Sequence, residues 1–433
     1  MAEANDFSLN EEIQRILGPS VANEAALPYH SGVERVPEEA GIGDAPVVRV
    51  LNTIINQAIR DRASDIHIEP MKGQLRIRFR IDGLLHEKTF LSPSVLPPLV
   101  TRIKILASLD IAEKRLPQDG RFHAKSDKGE VDLRISTLPT VFGEKVVIRI
   151  LSKSPELLQM GRLGYNQANL MRLSEIIRYS CGMILITGPT GSGKTTTLYA
   201  LINQLNNSER NIVSIEEPVE YVMPGVNQTQ VNNKTGLSFA AGLRSILRQD
   251  PNIIIVGEIR DLETANIAAK AGNSGHLVLS TLHTNDAPGA IARLVDMGVE
   301  PYVVASSVVG VVCQRLVRVL CPGCKEPYQL ETRGMERDFS GIPKGQDVIL
   351  YRPRGCPACR HIGYQGRTCI QEILPVSNTI RQMIKNRASE LEIKLQGIAE
   401  GMKTIKKDGL ERAIEGVTSI GEVMRVAFSE EEN

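Results

Sequence analysis

The clearest chemistry in this sequence lies in one short run: Gly188, Pro189, Thr190, Gly191, Ser192, Gly193, Lys194, Thr195 and Thr196. Its three glycines let successive backbone N–H groups turn inward around phosphate oxygens, and a helix opening just after them adds the positive end of its dipole. Lys194 can reach the β- and γ-phosphates of a nucleoside triphosphate, and the Thr195 hydroxyl can hold Mg²⁺. A buried strand before the run (Met183 to Ile186) and helical spacing after it (Thr196 to Leu205) are the context a phosphate-binding loop requires. An ordinary glycine turn would not need these flanks. The expected ligand is a nucleoside triphosphate with Mg²⁺.

Further candidates stand at the ends of apolar runs. Glu216 and Glu217 close the run from Ile212, Glu258 follows Ile253 to Gly257 in the position of a Walker B carboxylate, and His276 and His283 bracket Leu277 to Thr281. Phosphoanhydride hydrolysis needs one carboxylate to organise the waters of Mg²⁺ and another to orient or deprotonate the attacking water. Two acidic strand ends beside one phosphate loop supply both. Either alone would pass as a surface charge or a helix cap. The histidines read as γ-phosphate sensors or as structural residues, and the sequence leaves both open.

Four cysteines fall in two C-x-x-C pairs, Cys321 with Cys324 and Cys356 with Cys359. Two such knuckles present four thiolates tetrahedrally, which suits structural Zn²⁺ and leaves no open position for catalysis. A redox pair or a chance spacing is the alternative, and His361 is a rival fourth ligand. Cys181, Cys313 and Cys369 lack ligand spacing and are expected in the core.

The elements that must position these groups follow from periodicity. Residues 1–45 mix short polar and apolar patches and read as a weakly ordered arm. Residues 46–153 read as a small α+β domain: an amphipathic helix from Val47 to Ala63, strands at Ile66 to Glu69 and Gln74 to Ile81, and a hairpin turn at Asp82-Gly83. A helix from Ser94 to Leu109, a turn at Leu116 to Arg121 and three later strands complete it. Arg76, Arg78 and Arg80 form a stripe that fits either a solvated sheet face or a basic face meeting a partner or phosphate. Residues 154–166 form a hinge. Residues 167–320 alternate strands (Met183–Thr187, Ile212–Glu216, Ile253–Val256, Leu277–Thr281) with helices, the signature of an α/β domain built on a parallel sheet, whose ligands sit at the carboxyl ends of the strands. A tetracysteine module (321–375) and a helical C-terminal region (376–433) follow.

Composition narrows the function class. Lys plus Arg number 51 against 50 Asp plus Glu, and aromatics make up 4% with no Trp, so no direct binding of nucleic acid is expected. The acidic, polar opening residues do not resemble a secretory leader. The longest uncharged apolar-rich run, Pro301 to Gln314, is too short to span a bilayer. A cytoplasmic chain that reaches the membrane only through partners is expected, and its cysteines suit a reducing compartment.

From about Pro46 to Met424 the sequence closely resembles the secretion ATPase superfamily, in its type II secretion and type IV pilus assembly branch. The resemblance rests on the segment Ala63 to Pro70, Leu116 to Arg121, the phosphate loop, Ile215 to Glu220, Gly257 to Asp261, the histidine box from Gly275 to Thr284, the paired cysteines and Gly363 to Thr368. It implies a RecA-like ATPase domain in a homo-hexameric ring, with its nucleotide, ATP, between that domain and the smaller N-terminal one. It further implies that Glu216 activates water, Glu258 holds the Mg²⁺ shell, and His276 and His283 sense the γ-phosphate. Arg121 and Arg134, with Arg149 behind them, would reach phosphate, and Arg367 would stand at the nucleotide edge. The implied work is assembly of a pilus or pseudopilus through an inner-membrane platform protein, at the cytoplasmic face of that membrane. A DNA-uptake motor of the same superfamily and a nucleotide-gated scaffold with little hydrolysis are the alternatives. Three departures accompany the resemblance. Glu217 stands where the family usually has Asp, Cys369-Ile-Gln371 replaces the usual Gly-Ile-Tyr, and the N-terminal domain that docks such motors reads as absent or cut short.

Overall fold

Strict alternation in Gln74–Ile81, with every second residue buried, builds a sheet with one dry face. The computed structural model describes residues 9–17, 46–126, 129–151 and 158–427. The chain divides into two units, Met1–Lys153 and Ser154–Asn433, each described by itself. The first contains α1 (Leu9–Leu17), α2 (Pro46–Arg60), β1 (Ala63–Met71), β2 (Gln74–Ile81), β3 (Leu84–Leu91), α3 (Leu96–Leu106), β4 (Gln118–Ser126), β5 (Gly129–Thr140) and β6 (Gly143–Leu151). Its strands form one six-stranded antiparallel sheet in the order β3-β2-β1-β6-β5-β4. Leu75, Ile77 and Phe79 share a core with Leu51 and Ile54 of α2 and with Leu99 and Ile103 of α3.

Two details differ from the sequence reading. The arm contains a helix, α1, because Leu9 and Ile13 lie one turn apart and both are buried in this core; the rest of 1–45 lies outside the described residues. The helix expected to run to Ala63 stops at Arg60, and Ala63 opens β1 three residues before the strand expected at Ile66. The arginine stripe is neutralised within its own sheet. Arg76, Arg78 and Lys145 reach Glu69 at 3.1, 2.8 and 3.1 Å, and Arg80 and Arg149 reach Asp65 at 3.6 and 3.0 Å. Burial works against the Glu69 carboxylate, yet hydrogen bonds from Arg78 and Lys145 outweigh it and hold its pKa at about 2.

The second unit begins with α4 (Gln167–Ile176), β7 (Gly182–Thr187), α5 (Lys194–Leu205), β8 (Ile212–Glu216), β9 (Val226–Gln230), α6 (Phe239–Ile246), β10 (Ile253–Val256), α7 (Leu262–Asn273) and β11 (Leu277–Thr281). It continues with α8 (Ala287–Asp296), α9 (Pro301–Ser307), β12 (Val308–Leu320), β13 (Lys325–Gln329), α10 (Met335–Ser340), β14 (Ile349–Pro353) and β15 (Tyr364–Pro375). Four helices close it: α11 (Asn378–Lys385), α12 (Glu390–Ala399), α13 (Ile405–Ile414) and α14 (Ile420–Ala427). Its main sheet has seven strands in the order β15-β12-β7-β11-β10-β8-β9, all parallel except β15. Every residue of β7, β8, β10 and β11 is buried, as expected where helices cover both faces of a parallel sheet.

The tetracysteine module is narrower than 321–375. Leu320 and Tyr364 face each other across β12 and β15, so the chain leaves the sheet at one and returns at the other. Gly363 to Pro375 therefore belongs largely to the main sheet. Between the two exits, β13 and β14 pair as a separate antiparallel ribbon.

Candidate active site

Strand β7 delivers the chain to the phosphate loop at Thr187. Gly188, Gly191 and Gly193 then take φ of +140°, +78° and +88°, which side-chain-bearing residues rarely adopt, and α5 begins at Lys194. At Gly188 space is closed as well: a Cβ there would lie 2.4 Å from the Gln314 carbonyl oxygen. The Lys194 amine donates to the carbonyls of Gly188 and Pro189 at 2.8 and 3.1 Å. Burial lowers its pKa, opposed by the Glu258 charge. Ser192 is buried, whereas Thr195 opens outward at the start of the helix, where a hydroxyl can meet a hydrated cation.

Because β8, β10 and β11 run parallel to β7, their carboxyl ends arrive at the same edge. His283 Nδ1 lies 3.3 Å from the Lys194 amine, and His283 Nε2 lies 3.0 Å from Glu258. The other Glu258 oxygen accepts from Arg260 Nε at 2.9 Å, and Arg260 reaches Glu217 at 2.7 Å. One continuous polar chain thus runs Lys194–His283–Glu258–Arg260–Glu217. Asn233 adds a 3.5 Å contact to Glu217.

Three expectations need correction. Glu216 is not presented to this chain of contacts. It is 4% exposed, and its carboxylate accepts from Tyr199, from Ser214 at 2.6 Å and from Gln228 at 3.1 Å. Successive strand residues face opposite ways, so Glu216 points into the interior and Glu217, on the loop beyond, reaches Arg260. His276 is at the wrong end of β11. Its carbonyl accepts from Gly182, the first residue of β7, and its Nδ1 lies 3.1 Å from the Ala271 carbonyl. A five-residue strand separates it from the phosphate loop, roughly 16 Å at the usual rise. Cys181 is exposed, unlike Cys313 and Cys369, because it precedes β7 instead of lying inside a strand.

The expected arginines lie on other strands. Arg121, Arg134 and Arg149 stand opposite one another on β4, β5 and β6 of the first unit, one cationic row on one face of its sheet. Arg367 is exposed on β15, opposite Arg318.

One site residue escaped the sequence reading. Gln314, fully buried on β12, donates to the Ser192 carbonyl at 2.8 Å and accepts from Thr197 at 2.8 Å and Tyr165 at 3.3 Å. It braces the phosphate loop from beneath. Its signal was present: an amide closing the apolar run Val308–Cys313 must, if buried, find partners or carry a desolvation penalty. Gln314→Leu should leave the Ser192 carbonyl unpaired and take the shared acceptor from Thr197 and Tyr165, at a cost of about 1–3 kcal/mol for each buried group stranded. ATP affinity should fall roughly 10-fold with a lowered melting temperature. Nucleotide titration and thermal melting check this; an unaltered affinity would remove the bracing role.

The four paired cysteines gather with all Sγ atoms within 4.8 Å of one another. Separations of 3.9 Å (Cys321–Cys356), 3.7 Å (Cys324–Cys359) and 3.7 Å (Cys356–Cys359) match the ~3.8 Å sulfur spacing of a tetrahedral site with zinc–sulfur bonds of about 2.3 Å. Burial opposes ionisation of Cys359, but N–H donors from Cys356 and Gly363 bring its pKa down to about 6, while burial pushes Cys324 up to about 11. The donor set fits Zn²⁺.

Comparison with known proteins decides the family. Residues 40–425 match the family described as "Type II/IV secretion system protein". The chain belongs to this family. It is 48% identical over 430 residues to "Type II secretion system protein E" of Pseudomonas aeruginosa, spanning 98% of this chain and 84% of that protein. It is 44% identical over 436 residues to "Type IV pilus assembly ATPase PilB" of Myxococcus xanthus, spanning 97% of this chain and 76% of that one. Among solved structures, the fold is similar to the "Pilus Retraction Motor PilT and Bound ADP" (TM-score 0.55, 25% identity, 88% of this chain and 97% of the other). It is also similar to the Legionella pneumophila ATPase DotB (TM-score 0.63, 20% identity, 88% and 95%), a likeness of fold. This member of the family is an ATP hydrolase of α/β fold. Among the described residues no helix is long and apolar enough to cross a membrane.

Proposed function

We propose that the chain is the ATP-driven motor of a type II secretion or type IV pilus assembly machine, working as a homo-hexamer. The observation that carries this reading is the polar chain from Lys194 through His283 and Glu258 to Arg260 and Glu217, which couples the phosphate loop to the ends of three neighbouring segments. In it, Lys194 and the loop amides hold the β- and γ-phosphates. Thr195 and Glu258 hold the hydrated Mg²⁺, which supplies charge neutralisation at the transferred phosphoryl group. His283, between Lys194 and Glu258, registers the γ-phosphate. The second carboxylate role passes from Glu216 to Glu217, since Glu216 is occupied in the interior.

Arg121 and Arg134 of the first unit supply positive charge to phosphate, with Arg149 held behind them by Asp65; Arg367 adds to the nucleotide edge. A ligand shifts a two-state hinge only by its differential affinity for the states, so these arginines must favour ATP over ADP for the motor to have a stroke. The tetracysteine cluster holds structural Zn²⁺. The protein acts in the cytoplasm at the inner membrane, through a platform protein and without direct nucleic-acid contact.

The test is steady-state ATP hydrolysis across a sizing column, beside the double variant Arg121→Ala/Arg134→Ala. Turnover should peak with a ring-sized species, and the double variant should lose about 10² or more of it. Full activity in a monomer-sized peak would overturn the ring. Unaltered turnover in the double variant would remove these arginines from the site.

A further inference from the structure

We propose that Tyr199 is a positioning residue for hydrolysis: its hydroxyl fixes the acidic loop from Glu217 to Glu220 against the phosphate-binding helix. Tyr199 lies on α5, five residues beyond Lys194, and is fully buried. Its hydroxyl donates to Glu216 and accepts the backbone N–H groups of Glu220 at 3.2 Å and Tyr221 at 3.3 Å. A phenol has one proton and two lone pairs, so all three are committed, and Gln228 Nε2 also approaches the oxygen at 3.5 Å. The ring packs edge-on against Tyr221, with centroids 5.3 Å apart.

The surrounding polar groups support the same loop. Gln228 donates to Glu216 at 3.1 Å and to the Tyr221 carbonyl at 2.9 Å, and accepts from the Met223 N–H at 2.7 Å. Ser214 completes the Glu216 carboxylate. Burial, reinforced by the Glu216 charge, raises the Tyr199 pKa, so the phenol stays protonated and its proton stays directed at Glu216. These bonds do more than satisfy a buried carboxylate. The residues from Glu217 to Gly225 have no ladder of their own, and it is this stretch that carries Glu217 to Arg260 and hence to Glu258. One oxygen on the helix that starts at the phosphate loop therefore ties the acidic loop to that helix. Lys194 and Glu217 are carried as one body, and a shift of the loop would be felt as a misplaced carboxylate while the loop that grips the phosphates stays intact.

This inference rests on the reading that Glu258 and the acidic loop act at the phosphate loop, and its test separates the two. The full chain is assayed as wild type, Tyr199→Phe, Glu216→Gln, the double variant, and Glu258→Gln. The readouts are kcat, KM, affinity for a non-hydrolysable ATP analogue, and melting temperature. Tyr199→Phe keeps the ring and removes only the oxygen. It should lower kcat by roughly 10- to 100-fold, the scale of a carboxylate misplaced by about 1 Å, with analogue affinity held within about 3-fold. Because Tyr199 and Glu216 act through one hydrogen bond, the double variant should be no more than about 3-fold worse than Tyr199→Phe.

A merely structural tyrosine would lower the melting temperature and leave kcat at the wild-type value, which overturns the proposal. A double variant more than about 3-fold worse than Tyr199→Phe overturns it as well. If Tyr199→Phe does not fold, Glu216→Gln decides. Its amide oxygen still accepts from Tyr199, so a positioning role expects at least a tenth of kcat, whereas loss of about 10³ or more would make Glu216 the base and end the proposal. An active Glu258→Gln would sink the reading of the site. An inactive Glu258→Gln beside a fully active Tyr199→Phe would sink only the role of Tyr199.

Discussion

Glu258→Gln should stop ATP turnover while leaving ATP bound. Glutamine keeps the shape of the side chain, so the 3.0 Å approach to His283 and the packing at the end of β10 persist. What disappears is the negative charge that faces the Lys194 amine through His283 and that, in the role proposed above, would order the waters of Mg²⁺. Removing a positioned acid–base or charge-stabilising group costs on the order of 10²- to 10⁴-fold in rate. Lys194 and the loop amides, proposed above to carry the affinity for phosphate, are untouched, so analogue binding should change by only a few-fold. Turnover within about 3-fold of wild type would assign the chemistry to another carboxylate.

Removing zinc should unsettle the second unit well beyond the cysteines. Structural zinc sites contribute folding free energy outright, about 10–16 kcal/mol in isolated fingers. Here Leu330, Phe339 and Leu350 of the same module are anchored in the larger core, so the dependence should be smaller. A loss of several kcal/mol, or about 10 °C or more in melting temperature, is expected on chelation or in Cys321→Ser. The bound form requires thiolates, so affinity should fall with acidification, most steeply below the Cys359 pKa of about 6. Elemental analysis should find one zinc per chain. Protein that purifies without zinc and melts the same with and without chelator would rule the metal out.

Much of this was legible because the sequence signals were local. Of the four strands expected in the parallel sheet, three stand at the expected bounds, Ile212–Glu216, Ile253–Val256 and Leu277–Thr281. The fourth, β7, begins one residue earlier, at Gly182. The cysteine pairs announced their own cluster. What failed depended on direction. His276 and His283 look alike in sequence, but a parallel strand sends one to each edge of the sheet, and the rule that ligands gather at carboxyl ends already favoured His283. Glu216 and Glu217 differ by one residue at a strand end, where alternation decides which faces inward, and only the partners Tyr199 and Gln228 reveal it. Gln314 was hidden by its neighbours, since an apolar run announces burial and says nothing of the loop beneath which it will lie. The helix α1 was obscured by the polar patches around Leu9 and Ile13, and its burial depends on a sheet formed much later in the chain.

The facing pair Leu320 and Tyr364 has a consequence for ancestry and for engineering. A chain that departs from and re-enters a hairpin at opposed residues can gain or lose everything in between without altering the register of either strand. The cysteine segment has the geometry of an insertion, and a motor lacking it would need only a tight turn at that point. Yet Leu330, Phe339 and Leu350 are built into the same core as Ile420 and Val423 of α14. Excision would leave the connectivity whole and strip the terminal helix of its floor, so a shortened descendant could survive only by repacking α14 at the same time.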